Sequence, residues 1–130
     1  MLLADTNVVS ELMRRHPDPR VVAWSQLQPE LALSVVTLEE LRFGLIRAGS
    51  AEFERAYDAL VTRCTIYAVD ESIARRSGYL RARLSSRGLV RHQADMLVAA
   101  TALERNCVLA TRNVRDFAGC GVRLVNPFGR

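Results

Sequence analysis

The sequence predicts an α/β protein with a mostly parallel central sheet of about five strands and helices on both faces. Three observations carry that prediction. Short apolar runs of strand length alternate with longer helix-patterned stretches along almost the whole chain. The stretch from His92 to Phe117 reads as a helix without a polar face followed at once by an apolar strand, a pairing expected deep inside a sheet protein. At 130 residues the chain can bury one core but not two of ordinary size, so residues 1–130 are expected to form a single domain.

The elements follow in order. Met1–Ala4 is a short first strand, Asp5-Thr6-Asn7 the turn after it, and a helix from about Val8 to Arg15 places Val8, Val9, Leu12 and Met13 at core spacing. His16-Pro17-Asp18-Pro19 stops that helix and starts another, because Asp18 is a good N-cap and Pro19 a good first helical residue. The second helix carries Val21, Val22, Trp24 and Leu27 and ends before Pro29. Leu31 to Val36 is the second strand, and Thr37-Leu38-Glu39-Glu40 opens a helix that continues through Leu41, Leu45 and Ile46 to Ala48-Gly49. Ala51 to Arg63 forms a helix with Phe53, Tyr57, Leu60 and Val61 on its apolar side. Thr65 to Val69 is the third strand, and Asp70 caps a helix reaching about Arg87. After Gly88 comes the apolar helix, in which Asp95 is the only charge between Ala94 and Leu103. Cys107–Ala110 is the fourth strand, Thr111-Arg112-Asn113 opens a polar loop, and Val122–Val125 is the last strand.

Composition narrows the function classes. The chain is 49% hydrophobic and 25% charged, within the ordinary globular range. It shows no signal-peptide pattern and no apolar run long enough to cross a membrane, so the cytoplasm is the expected location. Cys64, Cys107 and Cys120 are too few and too scattered for a disulfide framework or a zinc site. All 18 basic residues are arginine, and the net charge is +4. The absence of lysine excludes a P-loop lysine, a Schiff base and lysine-dependent phosphotransfer. Ser72 to Ala94 contains no acid but holds Arg75, Arg76, Arg81, Arg83, Arg87 and Arg91, which makes either a contact for a polyanion or a solvated helix face.

Four acids, Asp5, Glu40, Asp95 and Asp116, fall at a strand's carboxyl end or at the start of the following helix. In a parallel sheet those places share one edge, where ligands bind. Each has a structural alternative. Asp5 can cap the first helix, Thr37-x-x-Glu40 matches a capping box, Asp95 suits a helix dipole, and Asp116 sits among loop arginines. Asp70 meets the same positional test. Carboxylates gathered together repel unless a cation neutralises them. Magnesium or manganese suits such an oxygen-only set and leaves room for a phosphate oxygen, which points to metal-dependent phosphodiester hydrolysis. His16 and His92, the only histidines, are ordinary loop residues on this reading, and nothing suggests a covalent nucleophile.

These residues match a known family. Asp5-Thr6-Asn7, Thr37-x-x-Glu40-Leu41-Arg42-x-Gly44, Ala94-Asp95-x-x-x-Ala99-Ala100 and Thr111-Arg112-Asn113-x-x-Asp116-Phe117 together resemble the PIN domain, and within it the VapC-type toxins of VapBC toxin–antitoxin modules. The resemblance spans essentially the whole chain, to Asn126-Pro127. It implies a Mg²⁺-dependent endoribonuclease, with Mn²⁺ as an alternative ion. Asp5, Glu40 and Asp95 map onto the metal-site acids, Glu40 is favoured over Glu39, and Asp70 becomes a cap. Asp116 is carried as the fourth acid and Asn113 as a supporting ligand, while Thr6, Asn7 and Thr111 look like substrate-orienting or ligand-supporting groups. Arg83, Arg87, Arg91 and Arg112 are candidate RNA contacts. The resemblance further implies a homodimer and a small VapB-type antitoxin whose tail blocks the site. The competing readings are a non-catalytic nucleic-acid-binding module working with a DNA-binding partner, and a dehalogenase-like or receiver-like phosphotransfer domain, which the missing lysine disfavours.

Overall fold

A computed structural model describes residues 1–129. Its elements are β1 (Leu2–Ala4), α1 (Thr6–Met13), α2 (Pro19–Gln26), β2 (Leu31–Ser34), α3 (Val35–Ala48) and α4 (Ala51–Thr62). They continue with β3 (Thr65–Tyr67), α5 (Glu71–Ser85), α6 (Gln93–Glu104), β4 (Val108–Ala110), a 3-10 turn (Val114–Phe117) and β5 (Leu124–Val125). The five strands lie in the order β3-β2-β1-β4-β5, and every pairing is parallel. β1 is central, as the origin of both wings of the sheet.

Successive strand residues feed opposite faces, as the period of two demands. Leu3, Ala32 and Leu109 pack with α5 and α6, against Ile73, Leu84, Met96 and Ala99. Their neighbours Ala4, Leu33 and Ala110 pack on the other face with Val8, Val9, Val21, Leu41 and Leu45. With both faces covered, the strands have no polar side to show, hence the continuous runs LLA and VLA. Among the described residues no helix is long and apolar enough to cross a membrane.

Several local expectations are corrected. Asp5-Thr6-Asn7 is not a free turn: α1 begins at Thr6, and the Asp5 carboxylate accepts a 2.9 Å bond from the Thr6 N–H. β2 ends at Ser34 rather than Val36, because the Ser34 side chain accepts the Val36 N–H and caps α3 three residues earlier than expected. Thr37 therefore lies inside the first turn, fully buried, and no capping box with Glu40 forms. β3 stops at Tyr67, and residues 68–70 form a separate extended link to α5. Leu27 and Ile46 lie on the surface, at 80% and 71% exposure.

The α5–α6 hairpin positions the site. Its helices run antiparallel: Asp70 and Ser72 at the start of α5 meet Arg105 and Glu104 at the end of α6. The far end of α5 and the start of α6 consequently lie together. There Leu84 abuts Gly119, where a Cβ would come within 3.1 Å, and the positive φ of 86° also favours glycine. Arg91, in the connecting loop, donates to the carbonyl of Ala118 at 3.1 Å and so ties that loop to the end of the 3-10 turn.

Candidate active site

Asp5 follows β1 directly, and its own N–H completes the ladder by donating to the Ala110 carbonyl at 2.9 Å. It is buried, with 6% exposure. Its carboxylate is nevertheless well supplied. Thr111, which follows β4, donates its hydroxyl at 2.8 Å; Asn7 donates its side-chain amide at 3.1 Å; and the Thr6 N–H supplies the third bond. Burial still dominates and pushes the Asp5 carboxyl above its usual range, with the charge of Asp116 adding to the rise and those three bonds opposing it. Asp5 is thus both the cap that its position suggested and a group held for another purpose.

Glu40 reaches the same edge from the second turn of α3. It is half-buried while Glu39 is exposed. The Thr6 hydroxyl donates to Glu40 Oε1 at 2.5 Å, across 34 residues of sequence. That bond replaces the expected capping box and ties Glu40 to the start of α1, one residue from Asp5.

Asp95 lies in the first turn of α6, half-buried. Its carboxyl is pushed up to about 6, first by burial and then by the charges of Asp5, Asp116 and Glu40, with His92 opposing. One group therefore feels all three of the other candidate acids. Asp116 is exposed on the 3-10 turn, which replaces the loop expected there. Its charge acts on both Asp5 and Asp95. Asn113 is exposed, and its N–H donates to Thr111 Oγ1 at 3.0 Å.

The charges of Asp5, Glu40 and Asp116 all act on Asp95, whereas Asp70 is engaged elsewhere. Asp70 caps α5 through the Ile73 N–H at 2.9 Å and pairs with Arg105 at the opposite end of the hairpin. Glu11, a buried acid that sequence reasoning did not select, is pinned by Arg14 at 3.1 Å and by the Asp18 N–H at 2.8 Å.

The candidate RNA-contact arginines divide. Arg83 and Arg87 are exposed near the site end of α5, with no ion-pair partner among the described residues. Arg91 is committed to Ala118, a strap that the sequence did not suggest. Arg112 is exposed, and its guanidinium lies 3.9 Å over the Phe128 ring. Phe128 was not among the sequence candidates; only the nearby Asn126-Pro127 drew attention.

Among the described residues, no three of His, Cys, Asp and Glu close into a ready-made metal cage. A hard divalent cation does not require one: magnesium keeps several waters and is commonly held by one or two carboxylates plus substrate phosphate. An all-oxygen set in which burial and neighbouring acids push Asp5 and Asp95 upward fits such an ion, since the cation would relieve the repulsion.

The chain is thus an α/β domain with an all-parallel sheet and acids at its carboxyl edge, where such sheets bind ligands, and the PIN-domain family model matches residues 2–119. The chain belongs to the PIN-domain family. It is 34% identical over 139 residues to the VapC ribonuclease Y4jK of Sinorhizobium fredii, covering 98% of each chain. It is likewise 34% identical over 137 residues to Toxin FitB of Neisseria gonorrhoeae, covering 98% of this chain and 99% of that one. Among solved structures, VapBC2 of Rickettsia felis bound to a DNA fragment from its promoter superposes with a TM-score of 0.83 at 25% identity, over 96% of this chain and 97% of that one.

Proposed function

We propose that this protein is a metal-dependent endoribonuclease, the toxin of a type II toxin–antitoxin pair, working in the cytoplasm with Mg²⁺ or, alternatively, Mn²⁺. The observation that carries the reading is the Asp95 carboxyl, raised to about 6 by burial and by three neighbouring acids, with His92 opposing and no arginine ion-paired to any of the four acids among the described residues. Such an arrangement is costly for folding alone. Asp5, Glu40, Asp95 and Asp116 would hold the cation. When bound, the ion lowers the pKa of water and stabilises charge on the phosphate oxygens.

The chain's own residues do the rest. Thr6 holds the Glu40 carboxylate, while Thr111 and Asn7 hold that of Asp5, which limits the rotation of two of the four acids. Asn113 extends the supporting network through its N–H on Thr111. Arg83, Arg87 and Arg112 draw the RNA backbone to the acidic edge, offsetting the repulsion between phosphate and carboxylate. Arg91 acts by placing the 3-10 turn that carries Asp116.

The likeness to VapBC2 of Rickettsia felis supports a small VapB-type antitoxin as partner, and a homodimer as the working form belongs to the same proposal. A second reading, a non-catalytic nucleic-acid-binding module assembled with a DNA-binding partner, is favoured by the relative solved on promoter DNA. The retained acid set speaks for the enzyme. Purified protein freed of antitoxin should cut RNA in Mg²⁺ and stop in excess chelator. Full activity in chelator would overturn the proposal.

A further inference from the structure

The contact between Arg112 and Phe128 has no part in holding the acids, and its geometry stands out. Four arginine–aromatic contacts occur among the described residues, at 5.4, 5.6, 5.3 and 3.9 Å from ring centroids. Only the last is close enough for the guanidinium to lie directly on the ring. Phe128 is 3% exposed and packs into the core face that includes Ala4 and Ala110, with its N–H bonded to Asn126 Oδ1 at 2.9 Å. The ring beneath Arg112 is therefore packed into the core rather than free at the surface.

Arg112 is also locked to the site. Its N–H donates to Asn7 Oδ1 at 2.9 Å, and the Asn7 amide donates to Asp5 Oδ2 at 3.1 Å. The side chain lines a groove of about 500 Å³ together with Asn7, Glu40, Leu41 and Phe53. No carboxylate among the described residues forms an ion pair with it, although Asp18 lies near enough to feel its charge. An exposed guanidinium with one face on an aromatic ring keeps its other face free, and such planes accept unstacked RNA bases.

We propose that Arg112, held flat on Phe128, is a preformed stacking platform for a nucleobase of single-stranded RNA beside the carboxylate edge. Any flat π-face can occupy it, so it adds affinity and fixes the strand's position rather than reading one base. Lysine would keep the charge but lose the plane.

The inference rests on the ribonuclease reading, and the test separates the two. Binding of a labelled single-stranded RNA oligonucleotide is measured in chelator, where cleavage is not required, alongside the same oligonucleotide carrying successive abasic positions. Wild-type protein should bind the intact strand more tightly than one abasic variant by roughly 5- to 150-fold, taking the worth of a base–aromatic stack as the scale for a base on the guanidinium plane. Arg112→Lys should abolish that preference while leaving the salt dependence unchanged, and Phe128→Leu should reduce it. Arg112→Lys changes an exposed side chain, so the test does not depend on Phe128→Leu folding well. Equal loss of binding to intact and abasic strands in Arg112→Lys would make Arg112 a phosphate contact only and overturn the platform, as would an unchanged preference. Base-dependent binding without cleavage in Mg²⁺ would sink the enzymatic reading and leave the platform standing.

Discussion

The two ends of the α5–α6 hairpin treat acids in opposite ways. At the end where α5 begins, every acid has an arginine: Asp70 meets Arg105 at 3.2 Å, and Glu104 meets Arg76 at 2.6 Å. Glu104 is held below its usual carboxyl range, first by the Ser72 hydroxyl and then by Arg76. At the end where α6 begins, acids face acids, and Asp5 and Asp95 both rise. The difference teaches where to look for chemistry. Acids paired with arginines across the two helices hold structure, whereas acids gathered from four separate segments, with no ion pair among the described residues, await a cation or a substrate.

The contrast can be broken most sharply at Asp95. Asp95→Asn should lower cleavage in Mg²⁺ by at least the roughly 10²-fold that loss of one electrostatic stabiliser costs in an active site. The metal-free protein should meanwhile stay as stable as wild type, or become more so, because the substitution removes like-charge repulsion. Single-turnover cleavage and thermal melts in chelator read the two effects. A clear drop in stability would place Asp95 among the structural acids.

Thr6 gives the next largest effect. Thr6→Val keeps the shape but removes the hydroxyl that holds Glu40, and it should cost about 10- to 100-fold in metal affinity or rate. Partial recovery at higher Mg²⁺ concentration is expected, since all four acids remain. Thr6→Ser should restore the bond and most of the activity. If the serine variant is as impaired as the valine one, the Thr6–Glu40 bond is not what positions the acid.

A pH series tests the repulsion itself. Asp95 is raised from 3.8 in the open chain to about 6 in the folded one, so the folded state binds more protons between those values. Its contribution is therefore most favourable below the unfolded pKa and is lost as pH rises through about 6. The Asp5 shift has the same sign. In chelator the melting temperature should climb as pH falls from 7 to 5, and Asp95→Asn should flatten that slope. Saturating Mg²⁺ should flatten it too, by stabilising the ionised acids. An identical slope in wild type and variant would remove Asp95 as its source.

Much of this was legible in the sequence because the decisive features are periodic or positional. Alternating strands and helices gave the parallel sheet, and a parallel sheet forces acids that follow its strands to one edge, which is how Asp5, Glu40, Asp95 and Asp116 could be selected together. What the sequence hid depends on competition or on distance. Ser34 and Thr37 both look like N-caps, and only packing decides that Thr37 is buried and Ser34 caps. Asp70 passed the positional test because the sequence does not show residues 68–70 carrying the chain back to the far end of the hairpin. The Thr6–Glu40 bond, the Arg91–Ala118 strap and the Arg112–Phe128 stack join residues far apart in sequence, or pair types that have no spacing rule.

The smallest effect belongs to the paired end and serves as the control for the other. Asp70→Ala removes the cap on α5 and the partner of Arg105, an exchange that should cost about 1 kcal/mol of stability, nearly all of it from the cap. The ion pair adds little, since both side chains are substantially exposed, at 41% and 49%. Cleavage and metal affinity should remain at wild-type values, because the hairpin's far end is held separately by Leu84 on Gly119 and Arg91 on Ala118. Asp70→Ser, which restores a cap but no charge, should recover most of the lost stability. Should Asp70→Ala impair cleavage as well, the two ends communicate through the length of α5 and α6, and burial and pairing alone would no longer tell a structural acid from a functional one.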